Sequence, residues 1–283
     1  MKPATADPPN WTEDLPARRG FDAAALAALF TLTLRQHVRG RRLLVLSLLF
    51  LLPSALVILA RLAPHPPSAA DLEFGIVFNF IPHALVPLTA LLYAAGMIQD
   101  EVEEQTLTYL LLRPLPRPAL YLTKLVATWL VTAALAAVFT TLTFAVIWWG
   151  QPQLWGEVLP VRAGKTAAIL ALAQLGYCSL FGLVGMVTRR SLVAGLAYIF
   201  VFEGVLANIP MVVRQLTVMY YLRVLVVRWL APADSDSWSI DLKEAWSERD
   251  CVLTLLIASA VFTLLAAVIT ARREFRMKTP EGG

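Results

Sequence analysis

Six apolar runs of about twenty residues constrain this chain more than anything else in it. They cover approximately residues 43–63, 74–98, 124–149, 166–187, 192–213 and 252–271. A bilayer's hydrocarbon core is about 30 Å thick, and a helix rising about 1.5 Å per residue crosses it in roughly 20 residues. Inside that core every backbone N–H and C=O must find its partner within the protein, which a helix provides locally. The pattern predicts an all-α, polytopic membrane protein with six transmembrane helices. Composition points the same way: 58% of residues are hydrophobic and 16% charged, against roughly 45–50% and 25% in soluble domains. Pro53, Pro82 and Pro87 fall inside the first two runs, where a bundle tolerates them. The run from Leu43 is too long and begins too late for a cleaved signal, and reads as a retained span.

The net charge of +4 comes from short basic clusters beside the spans. No aromatic-basic platform accompanies them, so the expected partner is a phosphate-bearing lipid surface and not nucleic acid. Cys178 and Cys251 form neither a CxxC pair nor a zinc spacing. An even number of spans puts both termini on one side. Lys and Arg are denser beside the span ends on that side (Arg35, Arg39, Arg41, Arg42, Arg113, Arg117, Arg189, Arg190, Arg272, Arg273) than on the other, where most lie in one long loop. By the positive-inside rule both termini are expected in the cytoplasm, with the protein in the cell's inner membrane.

Around the membrane domain, residues 43–271, the chain divides by composition. Residues 1–20 are polar and proline-rich, the character of a disordered cytoplasmic tail. Residues 21–42 are Ala/Leu-rich with charge at their end and read as a helix at the cytoplasmic interface. Gly40 offers a break before the first span, which favours this over a simple extension of that span. Residues 272–283 form a cytoplasmic tail. The outer segment 214–250 has an amphipathic first half, with Leu216, Tyr220 and Val224 at helical spacing, and a polar second half. It fits either a lid of short outer helices between spans five and six or a connector lying on the surface.

The loop between spans two and three, residues 99–124, carries the functional signal. Asp100, Glu101, Glu103 and Glu104 can continue the second helix out of the membrane. Thr106 can cap a short helix from Leu107 to Leu112 that Pro114 ends. Leu107, Leu110 and Leu111 then share one face. An apolar face on an exposed loop needs cover: a groove on a soluble partner, the membrane surface, or the protein's own bundle.

This stretch resembles the type-2 permease family of ATP-binding-cassette transporters. The first cytoplasmic loop of that family runs through acidic residues, Gly-Thr-Leu, Leu-Leu, Pro, Arg and Lys. Here these are Glu101, Glu103, Glu104, then Gln105-Thr106-Leu107, Leu110-Leu111, Pro114, Arg117 and Lys124, with Gln105 in place of the usual Gly and Thr123 where Gly often precedes the Lys. The resemblance implies a coupling helix that docks on a separate ATPase subunit, with those residues and Arg113 forming the contact. It also implies a second permease copy, identical or paralogous, and ATP and magnesium held by the ATPase with no cofactor in this chain. An interfacial helix, six spans and an outer element between spans five and six extend the likeness over the whole chain.

The remaining candidates for chemistry are few. A phosphate-binding loop needs GxxxxGK[ST] after a strand. Leu159–Thr166 (LPVRAGKT) lacks the first Gly and leads into an apolar run, so it reads as a span boundary with Lys165 reaching for the interface. Glu203 is the acidic residue deep in a span. At roughly 2.5 to 3.5 kcal/mol for a charge at mid-bilayer, it must face a cavity, a partner or the bundle interior. It either lines a translocation path or fixes packing with Asn208 near the break at Pro210. The acidic group at 100–104 reads as a solvated, docking helix end and not as a metal site. His83 reads as a packing or hydrogen-bonding residue. An integral-membrane enzyme acting on lipid is the alternative of another class, but Ser179 has no evident His partner and no DxxxD occurs. A non-transporting anchor for a partner is a third reading. Few hydrogen-bonding groups in spans one, two and five (Asn79, His83, Glu203, Asn208) suit an amphipathic cargo.

Overall fold

A computed structural model of the chain describes residues 23–97, 116–156, 158–188, 190–209, 212–232, 235–238, 240–241 and 245–272. Among them every regular element is helical: α1 (Ala23–Arg39), α2 (Arg41–Arg61), α3 (Ala69–Ala94), α4 (Arg117–Ile147), α5 (Val158–Val187), α6 (Ser191–Asn208), α7 (Val218–Leu230) and α8 (Glu248–Arg272). Short single turns lie at Pro152–Trp155, Val212–Leu216 and Ser235–Trp238. Helices α2 to α6 and α8 are long and apolar enough to cross a membrane. The protein is thus an all-α, six-span bundle.

Helix α5 is the hub and packs against α3, α4, α7 and α8. Small residues let the helices approach closely near its C-terminal end, as is usual between helices in lipid. A Cβ on Gly185 would overlap the Ala95 carbonyl just beyond α3, and one on Gly195 of α6 would overlap Leu91. Outward-facing Leu44, Leu48 and Leu59 on α2 and Phe200 on α6 are all more than half exposed, as lipid-facing side chains are.

Helices α3 and α8 begin about a turn before their apolar runs, and α4 and α5 begin earlier still. Helix α4 already starts at Arg117, capped by Pro116 in an extended conformation with Pro118 in its first turn. Helix α5 starts at Val158 and contains the whole Leu159–Thr166 stretch. In both α4 and α5 cations make a helical turn look like loop, and in both the cations are bonded to carbonyls in, or just beyond, a neighbouring helix. Lys124 Nζ donates to Met97 O at 3.2 Å. Arg162 donates to Leu230 O at 3.2 Å and Lys165 to Trp229 O at 3.0 Å.

The break at Gly40 is present: it is extended (φ −70°, ψ 146°) and separates α1 from α2. Helix α1 is held to the bundle at its C-terminal end, where His37 Nε2 bonds Thr128 Oγ1 at 2.9 Å and its ring meets Tyr93 edge-on.

Helices α3 and α6 are irregular within the bundle. Residues Glu73–Leu85 are wound as a π-helix around Pro82, and Ile199–Val205 as another, which tightens to a 3₁₀ turn over Leu206–Asn208. Wide turns and proline free backbone carbonyls that hydrocarbon cannot satisfy. Side chains take them up: His83 Nδ1 bonds Asn79 O at 2.9 Å, Asn79 Nδ2 donates to Phe74 O, and Asn208 Nδ2 donates to Gly204 O.

Between α6 and α8 the chain turns back. Helix α7 has ten of its thirteen residues buried and packs on α5 and α8. It is part of the bundle's interior, although its 13 residues reach only about 20 Å.

Candidate functional site

The polar groups of the membrane domain converge on α7. Its N-terminus carries four backbone N–H groups without intrahelical partners and a partial positive charge. The Glu203 carboxylate, 1% exposed, sits on that end and accepts from Val218 N and Met219 N, each at 3.2 Å. It also accepts from the Tyr198 hydroxyl at 3.1 Å. Thr217 completes the cap by accepting from Tyr220 N at 3.3 Å. At the other end the carbonyls of Trp229 and Leu230 receive Lys165 and Arg162. An acidic group at the amino end and cations at the carboxyl end match the helix dipole at both termini. A helix too short to be stabilised by its own backbone is thereby held in register by the spans around it.

Arg223 projects from the middle of α7 and is 92% buried by its 8% exposure. It donates to Ala207 O at 3.0 Å, to Asn208 Oδ1 at 2.8 Å and to His83 Nε2 at 2.8 Å, and its guanidinium lies 5.6 Å from the Trp238 ring centroid. Trp238 Nε1 donates in turn to Asn79 Oδ1 at 3.0 Å. For His83 Nε2 to accept, the ring proton must be on Nδ1, which suits donation to Asn79 O. One guanidinium therefore joins the irregular turns of α3 and α6 to α7. Asn208 pairs with this arginine and not with Glu203, contrary to the partnership suggested by their closeness in sequence.

Of the coupling residues, Glu101, Glu103, Glu104, Thr106, Leu107, Leu110, Leu111, Arg113 and Pro114 lie outside the described residues. Arg117 opens α4. Lys124 is 3% exposed and reaches across to Met97 O, where α3 has just ended. Thr128, one turn further along α4, contacts Met97 Sδ at 3.7 Å and bonds His37 of α1. Tyr93 donates to His37 O at 3.4 Å. The two feet of the 98–115 segment are thus tied together, and α1 is tied to both.

Sequence reasoning singles out Glu203 and Asn208, whereas Arg223 lies in the outer segment 214–250, which sequence alone leaves as a lid or a connector. The available signal was its setting: Val218–Leu230 is nearly all apolar, and an arginine inside such a stretch calls for buried acceptors. Arg162, which the sequence places at a span boundary, lies within α5 and donates through Nε to buried Glu73 of α3 at 3.0 Å.

A family model described as "ABC-2 family transporter protein" matches residues 27–274. No curated protein matches the chain.

Proposed function

Because this chain belongs to the ABC-2 family of transporter proteins, a membrane component that is not itself the catalytic subunit, we propose that it is the permease of an ATP-driven exporter. In this reading its first cytoplasmic loop couples it to a separate ATPase. The family match, running from α1 through α8, is the observation that carries the reading. The local geometry supports it. A force applied to the 98–115 segment enters at Met97 and Arg117, and the Lys124, Thr128 and His37 contacts pass it to α3, α4 and α1 as one unit. Glu101, Glu103, Glu104, Thr106, Leu107, Leu110, Leu111, Arg113, Pro114 and Arg117 are the proposed ATPase contact, and ATP and magnesium belong to the ATPase. The permease pairs with a second copy or a paralogue, sits in the inner membrane with both termini cytoplasmic, and carries α1 at the interface.

The cargo is proposed to be amphipathic. Asn79, His83, Glu203 and Asn208, polar side chains of the irregular spans, are engaged by other groups of the protein. This leaves mainly apolar surface for a solute to meet. Glu203 and Asn208 then act as packing residues that set α7, and not as cargo ligands.

Reconstitution of permease and ATPase in sealed vesicles tests this. ATP should drive a fluorescent amphipathic probe across the membrane when both subunits are present. Unchanged probe distribution, with an intact complex that hydrolyses ATP, contradicts a transport role for such cargo and leaves the anchor reading.

A further inference from the structure

Five of the eight tryptophans gather at the end of the bundle opposite the 98–115 segment, and a sixth, Trp238, reaches inward from it to Asn79. Trp148, Trp149 and Trp155 follow α4, Trp229 ends α7, and Trp238 and Trp246 precede α8. Trp155 Nε1 donates to Trp148 O and Trp229 Nε1 to Glu248 Oε2. Tryptophan prefers the headgroup level of a bilayer, so this belt marks where one leaflet's headgroups lie.

At the same level is a cavity of about 260 Å³ bounded by Phe78, Trp148, Val158 and Pro232, with Glu73 and Arg162 at its polar side. Its walls are mainly apolar, and its polar groups are richer in donors than acceptors. Arg162 has five N–H groups. Among the described residues, three are spent on Glu73 Oε1, through Nε and one terminal nitrogen, and on Leu230 O. The indole N–H of Trp148 is buried beside the Glu73 carboxylate without meeting hydrogen-bond geometry. Charges of both signs lie nearby: Arg162 neutralises Glu73, Lys165 caps Trp229 O and Arg61 caps Trp149 O, while Glu248 accepts from the Trp229 indole. An occupant that meets these donors offers acceptor oxygens, as a phosphate does, at one end and hydrocarbon at the other.

We propose that this cavity binds one phospholipid from the leaflet at that end. Its phosphate would face Arg162 and its glycerol and upper acyl carbons would lie against Phe78, Val158 and Pro232. The binding is independent of the transport reading and requires only that the bundle sit in a membrane.

Native mass spectrometry of the full chain released from membranes in mild detergent tests it, with thermal unfolding followed in parallel. The wild type should retain one phospholipid per chain. Val158→Trp places a bulky ring at the cavity mouth from a residue that is already 45% exposed, and should retain at most a fifth as much with its melting temperature in lipid-free detergent unchanged. The double variant Glu73→Met, Arg162→Met removes the donors without stranding a buried charge and should lose the lipid as well. Phospholipid vesicles should raise the wild-type melting temperature, and inorganic phosphate or glycerol 3-phosphate should not. The proposal is overturned if the wild type retains no phospholipid, or if a folded Val158→Trp protein retains as much as wild type. It is equally overturned if inorganic phosphate protects as well as the vesicles do.

Discussion

A guanidinium inside a membrane protein is tolerable only where acceptors surround it, and Arg223 meets that condition with three bonds, one to α3 and two to the last turn of α6. Replacing Arg223 with Leu strands His83 Nε2, Asn208 Oδ1 and Ala207 O together and should cost about 3 kcal/mol of stability. Arg223→Lys keeps the charge but cannot span the same three acceptors, so it should fall between the two. Thermal unfolding of the detergent-solubilised chain reads the order, and equal melting of wild type and Arg223→Leu would remove the network from the account. Glu203 makes a parallel case. Glu203→Gln keeps an acceptor oxygen for the α7 N-terminus and should cost about 1 kcal/mol, whereas Glu203→Ala leaves two buried N–H groups unpaired and should cost about 2 to 3 kcal/mol. A large transport defect in Glu203→Gln without loss of stability would instead put this carboxylate on the cargo path.

The elements differ in how far they could be read from sequence, and the reasons are physical. The six spans were legible because bilayer thickness imposes one length on all of them. The starts of α4 and α5 were not, since Lys124, Arg162 and Lys165 resemble loop residues until the carbonyls of Met97, Leu230 and Trp229 are seen beside them. Helix α7 was hidden for two reasons: thirteen residues are too few to register as a span, and its arginines imitate an amphipathic surface. The network partners Glu203 and Asn208 could be found as polar residues in an apolar run. Their actual contacts could not, because Arg223 lies in a segment that sequence alone leaves either on the surface or as a lid. Close helix approach is testable at this scale. Gly185→Val drives a branched side chain into the Ala95 backbone and should destabilise by about 1 to 3 kcal/mol. Gly164→Ala on the same helix meets nothing within 4 Å and should be neutral or stabilising by up to about 1 kcal/mol. Chemical or thermal unfolding of the pair distinguishes crowding from a general sensitivity of α5.

For the molecule as a whole, the bundle has two ends with different tasks. At one, α1, α3 and α4 are bound together at the feet of the 98–115 segment. At the other, α7 is clamped between Glu203 and the cations of α5, beneath a belt of tryptophans. Helix α5 packs on α3, α4, α7 and α8, which gives a displacement at the loop a continuous packed route to α7. The outward apolar faces of α2 and α6 are available to lipid or a second copy. Dimer pairing through them should appear as a doubled protein mass in detergent, reduced by Phe200→Arg on α6. The central claim is that the first loop joins this permease to its ATPase, and co-purification of the two subunits from a shared expression host tests it most directly. Wild type and Gly164→Ala should bring down the ATPase in equal amounts, while Leu110→Asp and the charge reversal Glu103→Lys with Glu104→Lys should lose most of it at unchanged permease levels. An ATPase that remains bound equally well to both loop variants would contradict the account.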